Sequence, residues 1–318
     1  MRAMSHAAYG KADVLRLVEA ARPVPGPGQV LVRVVASSVN PVDWKRAGGS
    51  FRLIMPVKFP AVPGYDVAGF VEAVGTGVTT FTTGERVHAR IADAAGGGSA
   101  EFALAGLKEL AHMPAGLGFA EAAAMPLAGM TALQALRDQA GLPLQGATQR
   151  VLVVGASGGV GHLGLQIARA AGATAIGVCS ARNAELVMSL GASAVIDYAK
   201  PDAYAGHAPF DIVLDCVGSD HGPFLPRLAA GGCYVSCLPA PSNMLRALIN
   251  PVSSKKVRYI LLKTDAADLA ILDALFSAGK LKVVIDSRFP LEQLGAAWER
   301  SMSGRAVGKI VVEVGQDA

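Results

Sequence analysis

The spacing of apolar positions divides the chain into two regimes. Up to about Phe119 they come in short runs bounded by Gly, Pro, Asn or Asp, the pattern of half-buried strands joined by turns. Residues 1–9 and 14–19 read as short strands and residues 23–28 (PVPGPG) as a turn cluster. Residues 29–38 form a valine-rich strand that runs into Asn40-Pro41, where Pro41 suits the first turn of a short helix and Asn40 its cap. Residues 60–74 end in a strand closed by the turn Gly75-Thr76-Gly77. Another strand begins at Gly84, and residues 100–105 make a further one after a glycine-rich loop. Short strands at such close spacing predict a small barrel or curled sheet.

From Phe119 the pattern turns helical, through residues 121–125 and 131–138. Residues 151–154 (VLVV) then read as a strand buried on both faces. Five further strand-like runs follow, at residues 175–180, 194–198, 211–217, 233–238 and 257–262, with helix or loop between them. This is the rhythm of a doubly wound parallel sheet. Residues 265–278 read as helix, 283–287 as strand and 291–302 as helix, and the closing run 308–314 is too short to stand alone, so it is expected to return to the first domain. The expected fold class is α/β. A β-rich domain takes residues 1–123 and 265–318, and a nucleotide-binding domain takes 124–264.

Between the strand at 151–154 and the next helix lies Gly155-Ala156-Ser157-Gly158-Gly159-Val160-Gly161. Ala156 stands where G-x-G-x-x-G has its first glycine, with Gly158 and Gly161 in the second and third places. Glycines let the backbone approach a ligand closely, and the helix that follows turns its free N–H groups and positive dipole end toward the turn, which makes a pyrophosphate site. Gly159 and Val160 are expected to present backbone there. At the end of the second strand an NAD site wants an acid about 20 residues past the glycines. Here Cys179-Ser180-Ala181-Arg182-Asn183 offers none before Glu185. A guanidinium suits a 2′-phosphate, with Arg182 as charge partner and Ser180 and Asn183 as donors, so NADPH is the expected cofactor. Ser180 or Asn183 capping the next helix is an alternative compatible with that role.

At 318 residues, 52% hydrophobic and 17% charged, the chain has room for two domains with a large core. The net charge of +4 is mild, and no basic run points to nucleic acid. The four cysteines, Cys179, Cys216, Cys233 and Cys237, all fall in predicted strands and make no C-x-x-C pair, so they read as reduced buried thiols. The six histidines are scattered, so no metal is expected. The most apolar long window, residues 122–136, is interrupted by Pro126 and reads as a packed helix rather than a membrane span. A soluble, cytoplasmic protein is expected.

Several segments carry a resemblance: NPVDWK at residues 40–45, PGYDVAG at 63–69, AMPLAGMTALQAL at 124–136, GASGGVGH at 155–162, CSARN at 179–183 and GRAVGKIV at 304–311. Together they resemble the medium-chain dehydrogenase/reductase superfamily and, within it, the zinc-free quinone oxidoreductases, closest to a plant branch of chloroplast-envelope quinone oxidoreductase homologues and alkenal and enone oxidoreductases. The resemblance covers nearly the entire chain. It implies a GroES-like catalytic domain, a Rossmann domain, and NADPH lying across the cleft between them. Zinc-dependent members carry a cysteine in place of Asn40 and Gly-His-Glu in place of Gly64-Tyr65-Asp66. The implied substrate is a small quinone or an enone or enal whose oxygen gains negative charge on hydride transfer. One-electron quinone reduction is the alternative chemistry. A crystallin-like nucleotide-binding protein of low activity is the alternative class.

The resemblance makes Lys45 the first catalytic candidate, touching cofactor and substrate, against a solvated helix lysine. Tyr65 is the second, as hydroxyl donor, pocket wall or packing residue. Asn40 is set to bond the nicotinamide ribose or only to cap its helix, Asp66 to cap a turn, and Lys309 to lie on the surface. Gly158, Gly159, Val160, Gly161, Ser180, Ala181, Arg182 and Asn183 are expected to hold the cofactor, with Tyr198 beside the adenosine and Leu238 near the nicotinamide. Thr131, Arg305 and Ala306 are carried over as cofactor neighbours. The acceptor pocket is expected to be walled by residues 49–58, 91–99 and 243–251. The sixth strand of the parallel sheet could make a homodimer by pairing across a two-fold axis, or be protected there by Lys255, Lys256 and Arg258.

Overall fold

The computed structural model describes residues 1–91, 96–207, 209–238 and 240–315. The chain forms two compact units. Met1–Leu127, Thr264–Asp273 and Val283–Ala318 make the first, and Ala128–Lys263 with Ala274–Lys282 make the second.

In the first unit, β1 (Arg2–Ser5) and β2 (Arg16–Glu19) form an antiparallel pair. The elements β3 (Gln29–Val39), α1 (Pro41–Ala47), β4 (Asp66–Val74), β5 (Arg86–Arg90), β6 (Phe102–Gly106), β7 (Leu110–His112) and α2 (Phe119–Ala124) follow. The helix α3 (Pro126–Gln134) starts on its proline and ends in a wide π-helical turn over Ala135–Gln139, so Pro126 opens a helix where the sequence suggested an interruption. The second unit contains β8 (Arg150–Val154), α4 (Gly161–Ala171), β9 (Thr174–Cys179), α5 (Ala184–Ser189), β10 (Ala194–Asp197), β11 (Phe210–Asp215), β12 (Leu228–Ser236), α6 (Pro241–Ala247) and β13 (Lys256–Tyr259). The chain closes with α7 (Ala266–Ser277), β14 (Ile285–Pro290), α8 (Leu294–Met302) and β15 (Lys309–Glu313).

The eleven-residue strand β3 is the spine of a seven-stranded sheet, six strands of which run in the order β14-β15-β3-β4-β5-β7 while β6 joins β3 off that path. Its first half also pairs with β6 and its second half with β15, while β4 runs along nearly its full length. Register shifts along the β3–β4 ladder bend the sheet. A Cβ at Gly69 would lie 2.0 Å from the Arg33 carbonyl oxygen, so only glycine fits between these strands. Valines of β3, β4 and β5 bury against Trp298 of α8 and Ile310 and Val312 of β15. The closing run therefore returns to the first unit's sheet, as its length required.

The second unit is a six-stranded parallel sheet in the order β10-β9-β8-β11-β12-β13. Strand order reverses beside β8, and ligands bind such sheets beyond the carboxyl ends of the strands at this point. The sequence located these strands but set the ends of β9 through β13 beyond their observed last residues and began β12 at Cys233 where it starts at Leu228. It missed β7, which has only three residues.

The first boundary falls at Leu127, inside α3 and close to Ala124, while Ala274–Lys282, expected in the first domain, goes with the second unit. The single helix α7 is shared. The His88 ring nitrogen Nε2 lies 3.1 Å from the Asp273 carboxylate, within the first unit. In the second unit, Gln166 donates to the Lys282 carbonyl at 2.9 Å and accepts from its N–H at 2.8 Å. Helical periodicity does not reveal such a change of partner along one helix.

Candidate active site

The loop between β8 and α4 is built as a cradle. Gly155 takes φ +74°, so the residue in the left-handed region precedes Ala156, which explains why an alanine serves in the motif's first place. The amides of Gly155 and Ala156 both donate to the Val178 carbonyl, at 3.0 and 2.9 Å, and fix the loop to β9. Gly161 is the first residue of α4, and a Cβ there would stand 2.1 Å from the Gly155 carbonyl oxygen. The amino end of an eleven-residue helix is thereby drawn tight against the loop, with the backbone of Gly158, Gly159 and Val160 at its mouth.

A residue whose role the sequence did not reveal helps hold this shape. His162 is fully buried; its Nδ1 lies 2.9 Å from the Gly158 carbonyl, which also accepts the His162 N–H at 3.0 Å. The available signal was its place directly after the third glycine.

The segment after β9 lies along the same edge. Ser180, half-buried, opens a short turn over Ala181–Asn183 with no side-chain cap, and Asn183 makes none either. Asn183 Nδ2 instead donates to Ser157 Oγ at 2.9 Å, tying this segment to the glycine loop, which corrects the capping alternative. Ala181 and Arg182 are exposed, and among the described residues Arg182 makes no hydrogen bond or ion pair. Tyr198, 61% exposed, follows Asp197, which pairs in register with Cys179. Leu238 is half-buried just past β12, where a Cβ on Gly218 would fall 2.9 Å from its Cδ1. Thr131 is buried on α3. These residues fit a dinucleotide: a collision-tight glycine cradle, a helix start, and a guanidinium with no anion of its own.

In the first unit, α1 carries Asp43 and Lys45. Asp43 accepts the Asn40 N–H at 2.7 Å, while its second oxygen, Oδ1, has no hydrogen-bond partner among the described residues. Burial pushes this carboxyl up to about 7, against the pull of the Asn40 amide. Lys45 is half-buried. Its Nζ stands 5.5 Å from the centre of the Trp44 ring, and among the described residues it has no anionic partner. Burial lowers its pKa.

Tyr65 is buried, and its hydroxyl oxygen accepts from Arg46 Nη1 at 2.9 Å. The guanidinium thus fixes the phenol inside the unit and leaves its own O–H proton for another acceptor. With His6, Asp43 and Arg46 it lines a small polar pocket.

Asp66, Asn40 and Lys309 form a buried polar centre. Asp66 accepts from Ser38 Oγ at 2.9 Å, Asn40 Nδ2 at 2.8 Å and the Leu127 N–H at 2.9 Å. Lys309 donates to the Asn40 Oδ1 at 2.5 Å and the Val39 carbonyl at 3.2 Å. Two expectations are corrected here. Lys309 is 3% exposed and no surface lysine, and Asp66 is a hub and no turn cap, while Asn40 sits at the N-cap of α1 with its side chain bonded to both. Burial of Lys309 was hidden because its partners come from the other end of the chain. Arg305 is exposed and Ala306 packs on the first unit's core.

The comparisons with known proteins follow the same lines. Residues 26–135 match the model of the alcohol dehydrogenase GroES-like domain, and residues 190–312 that of zinc-binding dehydrogenases. The Arabidopsis thaliana chloroplast envelope quinone oxidoreductase homolog is 42% identical, over 98% of this chain and 98% of its own. The chain belongs to the quinone oxidoreductase family of medium-chain dehydrogenases/reductases. Another member, the chloroplastic NADPH-dependent alkenal/one oxidoreductase of the same plant, is 34% identical over 98% of this chain and 79% of its own. The quinone oxidoreductase structure from Coxiella burnetii superposes with a TM-score of 0.88 at 31% identity, covering 99% of both chains. At the positions where the resemblance sets the zinc ligands of zinc-dependent members, this chain has Asn40 and Gly64-Tyr65-Asp66; Asn40 and Asp66 face the Lys309 ammonium, while Tyr65 bonds Arg46.

Proposed function

We propose that this chain is an NADPH-dependent reductase of quinones or of the C=C bond of enones and enals, working without zinc. The observation that carries the reading is the polar centre of the first unit. The residues at the zinc-ligand positions are an amide, a phenol and a carboxylate, all bonded to one another or to neighbouring cations. Side chains engaged in this way leave these positions without a metal-ligand set, which suits an acceptor that is already electrophilic.

The glycine loop and α4 would hold the pyrophosphate, and Ser180, Arg182 and Asn183 the 2′-phosphate, with Tyr198 and Leu238 flanking the nucleotide. NADPH supplies a hydride when bound. Reduction of either acceptor class leaves negative charge on the substrate oxygen, as an enolate or a hydroquinone anion. Lys45 presents an ammonium with no anion to neutralise it, and so stabilises that charge. The family resemblance and the name of the NADPH-dependent alkenal/one relative support the same assignment.

The test follows NADPH and NADH consumption in parallel with benzoquinone, phenanthrenequinone, short enals and short enones, and identifies the products. Turnover with NADPH in preference to NADH, giving a saturated carbonyl or a hydroquinone, is the expected result. Tight NADPH binding with no turnover of any acceptor would overturn it and leave a nucleotide-binding protein of low activity.

A further inference from the structure

Two of the four cysteines are used by nothing described so far, yet they meet. Strands β11 and β12 are parallel neighbours with Asp215 level with Ser236, so Cys216 and Cys237 are the first residues past the carboxyl end of each. Adjacent strands lie about 4.8 Å apart, within the Cα separation of about 4.4–6.8 Å that a disulfide spans. The sulfurs stand 4.0 Å apart. Both residues are half-buried, whereas Cys179 and Cys233 are buried within strands. All four thiols are reduced, as expected, but this pair lies just past its strands and is not fully buried.

The surroundings hold the pair in place. The Cys237 N–H donates to the Asp215 carbonyl at 2.8 Å. Asp215 Oδ1 accepts the amides of Val217 and Gly218 at 2.9 and 3.2 Å, and its Oδ2 accepts the Tyr234 hydroxyl at 2.6 Å. The turn after β11 is thus pinned to the strand that precedes it. Val217, which follows Cys216, would lie 2.7 Å from a Cβ on Gly155, the turning residue of the glycine loop. Leu238 follows Cys237.

We propose that Cys216 and Cys237 are a redox site that closes into a reversible intramolecular disulfide on exposure to a hydroperoxide, weakening nucleotide binding at the adjoining loop. The cross-link itself stands on the thiol geometry; its effect on binding rests on the NADPH reading above. Cys237 thiolate attacks the peroxide, forming an S–O bond as the O–O bond breaks and releasing an alcohol, or water from hydrogen peroxide. Cys216 then attacks that sulfur, forming the S–S bond as the S–O bond breaks and releasing water. Two electrons pass from the thiols to the peroxide. The bond from Cys237, burial and the neighbouring Asp215 raise the Cys216 pKa well above the usual thiol range, which suits it to the second, resolving role. Hydroquinones, one product class of the proposed activity, generate hydrogen peroxide by autoxidation, so an oxidant of the right class arises beside the enzyme. Drawing the sulfurs together pulls on Val217 and Leu238, the two residues that follow them.

The test treats the full chain with hydrogen peroxide and counts free thiols after denaturation. Loss of two of the four, a mass lower by two hydrogens, a Cys216–Cys237 peptide on mapping and reversal by dithiothreitol are expected, and Cys216→Ser and Cys237→Ser should each abolish the cross-link. Four surviving thiols, sulfinic acid at either position, or an intermolecular dimer would overturn it. NADPH affinity of the oxidised wild type should fall about 5-fold or more, with no peroxide effect in either serine variant, and bound NADPH should slow the thiol loss. An oxidised protein that binds NADPH as tightly as the reduced one overturns the coupling. A reduced protein that does not bind NADPH at all overturns the cofactor reading, while thiol counting still decides the cross-link.

Discussion

The Lys309 ammonium stands 3.7 Å from the Asp66 carboxylate, with both side chains shut away from solvent. Burial lowers the Lys309 pKa, and Asp66 opposes the shift. Such a pair stabilises less than its Coulomb attraction suggests, because two ions have left water. Removing one partner is another matter, since the other is then stranded.

Lys309→Met is accordingly expected to destabilise the fold by about 3–5 kcal/mol. The double variant Asp66→Asn with Lys309→Met should recover part of that loss, because no charge is left uncompensated. Chemical denaturation of the two proteins against wild type measures the difference. Equal stability of Lys309→Met and wild type would show that the buried charge needs no partner.

Asp43 sets a pH dependence of stability. Its folded value, about 7, lies above its unfolded one, so the fold favours the protonated carboxyl. The stability this group lends is complete below about pH 4, declines as pH rises toward 7, and is gone above that. Asp43→Asn keeps an acceptor for the Asn40 amide and removes the titration. Between about pH 4 and pH 7 its denaturation midpoint should gain on that of wild type and then level off; parallel profiles would refute the assignment.

Arg182→Ala should raise the KM for NADPH by roughly 10- to 100-fold, the loss of one charge-assisted contact, and leave the KM for NADH unchanged. Arg182→Lys should keep part of the preference. Steady-state kinetics with each cofactor decides between this and an arginine that only faces solvent.

Lys45→Met should lower kcat by about 100- to 1,000-fold without changing the melting temperature. Because burial lowers the lysine's pKa, wild-type activity should fall on the alkaline side at a lower pH than an ordinary lysine would give. Lys45→Arg should retain activity and lose that alkaline limb.

The nucleotide side of the molecule was legible because its signals are local. A buried strand, a glycine turn and a helix start follow one another between Val151 and Gly161, and the next strand ends at Cys179, where the run Ala175–Ser180 set it to within one residue. Long-range relationships were not. Lys309 reads as a solvated lysine until β15 is laid against β3, which buries it beside Asn40. Cys216 and Cys237 read as separate strand residues until β11 and β12 are placed side by side. The unit boundary within α7 was hidden for the same reason, because two turns of one helix answer to different neighbours.

The placement of β14 and β15 also orders assembly during synthesis. The strand β3 emerges from the ribosome early, but its neighbour β15 is translated only after the entire parallel sheet. Until then the edge of β3 that β15 covers is open and Asp66 lacks its cation. The later-translated nucleotide unit, whose strands are nearly contiguous in the chain, can therefore mature first, and the earlier-translated unit is sealed last.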